Sequence, residues 1–155
     1  HMCASSDRQT TTEQNSQTFY LSNMHPQYQE HNGNLWQALE TQVQSWDKTN
    51  FRDTLYVVKG GTIDKSDQIM KYTSTGLLVP KYFFMAILCV KNGAYKAVAF
   101  WTKHTNTAIK KAKPKDYAIS IDELEQKTGI DFFCNLPDDI ENAVEKSYTP
   151  ADWGW

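Results

Sequence analysis

The chain has little cysteine: three residues, Cys3, Cys89 and Cys134, with no CxxC pair. That argues against a zinc knuckle and leaves room for one disulfide at most. No apolar run is long enough to cross a bilayer, and the first residues do not read as a signal sequence. His1-Met2 also reads as an expression-vector scar, so composition leaves the compartment open. A basic surplus is missing as well. The formal net charge of −2 argues against gripping nucleic acid by bulk electrostatics, so any such contact is local. No internal repeat or linker interrupts the 155 residues, which fit one domain, 1–155.

What is present is enough for a core. Hydrophobic residues make up 40% and aromatics 13%, and Tyr, Phe and Trp are spread along the whole chain, a globular rather than disordered composition. Charge is uneven. Lys103, Lys110, Lys111, Lys113 and Lys115 crowd one segment, read as a solvated loop before a phosphate-binding patch, while Asp138, Asp139, Glu141 and Glu145 dominate the C-terminal one.

Periodicity predicts the elements. Residues 4–17 are almost all polar and read as a surface loop. Phe19-Tyr20-Leu21 reads as a short strand that Pro26 stops. Leu35, Leu39, Val43 and Trp46 fall on one helical stripe of about four turns, with Asn32 or Asn34 as N-cap. Thr54–Val58 is a β-branched strand ended by Gly60-Gly61, and residues 62–78 form a polar connection. Lys81–Val90 is too continuously apolar for an edge and reads as the central strand. Asn92-Gly93 then signals a hairpin into Tyr95–Trp101. Ser120 with Glu123 makes a capping box for a helix closed by Gly129, and Leu136-Pro137-Asp138 opens another, to about Ser147. The fold class expected is α+β, an antiparallel central sheet flanked by helices.

The polar residues around the first long helix suggest a hard-metal site. Asn23, Asn32 and Glu40 all bear oxygen, and magnesium is commonly held by few protein oxygens and several waters. Glu40 lies two turns beyond Asn32, about 12 Å along the axis, so it would act on the ion through a water. Each has a plainer reading: Asn32 as a cap, Asn23 as a turn residue, Glu40 as a solvated helix position. Of the four histidines, His25 and His31 flank this helix, and position alone favours them as general base over His1 and His104.

Several segments resemble the DNA/RNA non-specific endonucleases of the ββα-metal class, the Serratia nuclease and endonuclease G type. HMCASSDR is similar to the end of that family's DRGHMxPSxDR motif, TFYLSNMHPQ to its TFYLSNMSPQ, and NGNLWQALE to its NxGxWxxLE helix. LYVVKGGTI, VPKYFFMAIL and GIDFFCNLPDDIENAVE resemble later strands and the final helix. The resemblance implies the ββα-metal fold without its N-terminal strands, 1–155 being the C-terminal two-thirds of the usual domain. It also implies an Asp-Arg-Gly preceding His1. Within the helix motif the glycine stands one place early, at Gly33, with Asn34 in its usual position, and Ala4 replaces a usual proline.

That resemblance reverses the ranking of the histidines. It implies His1 as general base, Asn32 as the metal ligand, Glu40 as the residue orienting metal-bound water, and Asn23 as a supporting amide. Arg8 is a candidate phosphate contact, with an ordinary surface arginine as the alternative. The activity implied is metal-dependent, sequence-non-specific hydrolysis of phosphodiester bonds in DNA and RNA, with Mg2+ or another divalent ion such as Mn2+. The alternative reading is a catalytically impaired fragment that only binds metal or nucleic acid, because an isolated histidine lacks the strand that would fix it. The partners implied are DNA and RNA substrates and no membrane. Homodimers and a periplasmic or extracellular location accord with the family.

Overall fold

The computed structural model describes all residues, His1–Trp155. A four-stranded antiparallel sheet in the order β1-β4-β5-β6 is built from β1 (Thr54–Gly61), β4 (Tyr82–Lys91), β5 (Ala94–Lys103) and β6 (Ala118–Ile119). A separate hairpin pairs β2 (Ile69–Tyr72) with β3 (Leu78–Pro80). Four α-helices accompany the sheet: α1 (Thr12–Gln17), α2 (Gln37–Trp46), α3 (Ile121–Thr128) and α4 (Asp138–Glu145). The architecture is α+β, as the periodicity predicts.

Strand β4 is central because both its faces are covered. Successive side chains of a strand point to opposite sides. Phe83, Met85, Ile87 and Cys89 therefore pack with Leu35, Trp36, Leu39, Val43 and Trp46 from the helix before β1. Phe84, Ala86 and Leu88 join Ile121, Leu124 and Val144 from α3 and α4. Each fully buried large apolar side chain contributes about 1.5–3 kcal/mol, so these two cores hold the sheet between helices. Asn92 and Gly93, at φ 50° and 76°, form the expected tight turn between β4 and β5. Ser120 caps α3 by accepting from Glu123 N–H at 3.1 Å, and Gly129 closes it at φ 75°.

Several expectations are corrected. Phe19 and Tyr20 form no strand: they lie in a turn, Leu21–Asn23 is a 3₁₀ turn, and all three apolar side chains are exposed. Without a neighbouring strand, a three-residue apolar run gains nothing from extension. The polar stretch 4–17 is not all loop, because Thr11 caps α1 by accepting from Gln14 N–H. Gly60-Gly61 end β1 as its last two paired residues, where a Cβ on Gly60 would stand 2.6 Å from the ring of Phe84 and one on Gly61 2.6 Å from Pro80. The connection 62–78 contains β2 and the start of β3. The three cysteines are free thiols, so no disulfide forms. The five lysines of the basic segment are exposed, matching the solvated-loop reading.

Candidate active site

The helix carrying the site starts irregularly. Residues His31–Trp36 form a π-helical turn that runs directly into α2. Gln37 N–H donates to Asn32 O, a bond spanning five residues. Neither Asn32 nor Asn34 is an N-cap, because Glu30 before them is already helical and the Asn34 amide donates back to Glu30. Eight residues of ideal α-helix overshoot two turns by about 80°. The wider π turn winds less per residue, so it draws Asn32 and Glu40 toward one side of the helix.

Asn23 anchors the residues after His1. Its Oδ1 accepts from Cys3 N–H and its Nδ2 donates to Cys3 O, both at 2.8 Å, while Nδ2 also donates to Thr18 O at 2.8 Å. Met2 N–H donates to Asn23 O at 2.8 Å. One residue, Asn23, thus binds the backbone of both Met2 and Cys3, directly after His1. The His1 ring stands edge-on to Phe19, centroids 5.2 Å apart, and its Nε2 is shielded without a hydrogen-bond partner. A buried nitrogen without a partner is costly unless something completes it.

Glu40 lies in the same neighbourhood. Its Oε1 accepts from Lys59 Nζ at 3.1 Å, and Lys59 also reaches Asp7 Oδ2 at 3.5 Å. The main-chain nitrogen of His1 lies within reach of the charges of Glu40 and Lys59. Burial lowers the pKa of His25, which lies close to the His1 main-chain nitrogen. His1, His25, Glu40 and Lys59 therefore share one electrostatic environment. A cleft of about 610 Å³ opens beside it, lined by Met2, Cys3, Asp7, Asn23 and Lys59 among others, with His1, Asn32 and Glu40 outside its walls.

The other two histidines belong to the core. His104 Nε2 accepts from Tyr28 N–H at 2.7 Å and its Nδ1 faces Pro80 O at 2.8 Å, which assigns the ring proton to Nδ1 and the neutral state. Thr102 Oγ1 donates to Phe83 O, so it accepts from His31 Nε2 at 3.0 Å, leaving His31 Nδ1 to accept from Gln27 Nε2 at 2.6 Å. Burial, with His104 adding, pushes His31 down to about 4. Such a ring holds the π turn in place and is not free to take a substrate proton.

Asn32 is half-buried, and its side-chain amide makes no hydrogen bond within the chain. A free amide oxygen, with Glu40 further along the helix, suits a hard divalent ion that keeps most of its waters. Arg8 is exposed and pairs with no carboxylate, so it is not gathered with the others. Sequence reasoning missed Lys59. The available signal was a single cation interrupting the apolar run of β1.

A family model described as DNA/RNA non-specific endonuclease matches residues 1–139. The chain belongs to that family. It is 30% identical over 156 residues to a nuclease of Nostoc sp., covering 94% of this chain and 53% of that protein. It is 27% identical to the mitochondrial nuclease EXOG of Xenopus laevis (90% of this chain, 41% of that one). With a nuclease of Serratia marcescens the identity is 25% (81% and 47%). The chain spans about half the length of these relatives. Among solved structures, a chain of the EndoG/EndoGI complex superposes with a TM-score of 0.76 at 22% identity, over 90% of this chain and 60% of that one. That match identifies the fold: an antiparallel sheet with flanking helices, as in EndoG.

Proposed function

We propose that this domain performs divalent-metal-dependent, sequence-non-specific hydrolysis of phosphodiester bonds in DNA and RNA. The observation that carries the reading is the clamp of Asn23 on Cys3, which fixes the segment bearing His1 beside Glu40 and Lys59. His1 takes a proton from water, the water oxygen bonds to phosphorus, and the bond from phosphorus to the 3′ oxygen breaks. Solvent protonates the departing oxygen. Asn32 would hold Mg2+ or another divalent ion, whose charge offsets that growing on the phosphate in the transition state. Glu40 orients water at that position, and Lys59 keeps its carboxylate aligned. Contacts of this kind address backbone phosphate rather than base edges, so little sequence preference follows. Export to the periplasm or the cell exterior accords with the same reading, and no helix is long and apolar enough to cross a membrane.

The test is degradation of plasmid DNA and of RNA, with Mg2+ and with chelator, by the native chain and by His1→Ala. Cleavage that requires the metal and falls about 10²–10⁴-fold in the variant supports the assignment. Undiminished cleavage by His1→Ala would remove His1 from the mechanism. Metal binding without any turnover favours the second reading, a domain that only binds metal or nucleic acid.

A further inference from the structure

On the opposite face of the sheet from Asn32, three carboxylates converge between two helices. Asp122 and Glu125 sit three apart on α3, hence on one face of it, and Glu145 is the last residue of α4. Their oxygens lie within 4.8 Å of one another. Glu145 is 5% exposed, accepts no hydrogen bond, and its Oε1 is sealed from solvent without a partner. Glu125 is oriented by Phe132 N–H, which donates to its Oε1 at 2.7 Å. No lysine, arginine or histidine pairs with any of the three. Asp131 and Glu141 add further negative charge nearby.

We propose that Asp122, Glu125 and Glu145 form a structural divalent-cation site of the calcium class that ties α3 to α4. A buried carboxylate facing two others, with neither donor nor cation beside it, is costly unless a charge is supplied. The donors are all oxygen, which selects a hard ion over zinc or copper. Calcium accepts flexible carboxylates in irregular geometry, whereas magnesium demands a near-ideal octahedron and usually binds through only one or two carboxylates, so three converging, partly exposed carboxylates suit calcium. The remaining positions are filled by water from the open side, where Asp122 and Glu125 are half-exposed. The site is separate from the one on Asn32, since the helices lie against different cores.

The experiment is thermal unfolding at pH 7.5 in chelator, Ca2+ or Mg2+, with calorimetric titration of Ca2+, on the native chain, Glu145→Gln, Glu125→Gln and Asn32→Ala. Expected are one Ca2+ per chain in Asn32→Ala and a rise in Tm of about 5 °C or more at 100-fold excess over Kd, with a smaller response to Mg2+. Asn32→Ala keeps this response, which separates it from the nuclease site. Glu145→Gln and Glu125→Gln lose it, and Glu145→Gln is at least as stable as the native chain in chelator because the repulsion is relieved. An unchanged Tm with Ca2+, or a response that survives both glutamine variants or vanishes in Asn32→Ala, overturns the proposal.

Discussion

The side-chain amide of Asn23 bonds both polar groups of the Cys3 backbone, accepting from its N–H and donating to its carbonyl at 2.8 Å each. Twenty residues separate the pair, so this one side chain connects the His1 segment to the 3₁₀ turn that bears it.

Asn23→Ala therefore loosens His1 without touching it. Misplacing a reacting group by about 1 Å costs on the order of 10²-fold in rate, and a loss of that size in kcat with retained far-UV circular dichroism is expected. Asn23→Asp is no milder, because a carboxylate oxygen then opposes the carbonyls of Cys3 and Thr18. Full activity in either variant would show that the clamp does not position the base.

Lys59 and Glu40 form a sheltered pair, their side chains 7% and 16% exposed. Lys59→Met leaves Glu40 without its partner, at a stability cost of about 1–3 kcal/mol. A double-mutant cycle with Glu40→Gln, read from urea midpoints, should give a coupling of about 0.5–3 kcal/mol. Strict additivity would mean that the two do not act on each other.

His31 sets a pH dependence. Its pKa is about 4 in the fold, below the ordinary value of 6.5, so the unfolded chain binds the proton first as pH falls. Its neutral-state stability is complete above about pH 6.5 and is lost as pH drops toward 4, by up to about 3 kcal/mol. Glu145 acts oppositely: its carboxyl is raised from 4.5 to about 7, so its contribution is complete below 4.5 and declines as pH rises through 7. Urea midpoints between pH 4.5 and 7 should accordingly rise more steeply with pH in Glu145→Gln than in the native chain. An equal or shallower slope contradicts the pairing of signs.

Gly60 lies under the ring of Phe84, itself 5% exposed and unable to retreat. Gly60→Ala forces overpacking that costs about 1–3 kcal/mol, measurable as a lower denaturation midpoint. Combining it with Phe84→Leu should recover part of the loss, and a purely additive double variant would contradict the contact.

The sheet and its helices were legible in the pattern of residues, and the reasons are local. A continuous apolar run such as Phe83–Val90 needs cover on both faces, Asn92-Gly93 accepts the positive φ of a tight turn, and Ser120 caps the next helix with its own hydroxyl. Motif order also pointed to the family and to His1, Asn23, Asn32 and Glu40. Tertiary structure alone decided which polar groups meet. Lys59 reaches Glu40 from β1, His31 and His104 spend their ring nitrogens on Thr102, Gln27, Tyr28 and Pro80, and Glu145 is sealed against α3 without a counter-charge. Periodicity records whether a side chain is apolar and on which face it falls. A hydrogen bond or an ion pair between residues tens of positions apart depends on distances that only the packed elements set, which is why the partners of His31 and His104 became readable in the fold and not in the chain.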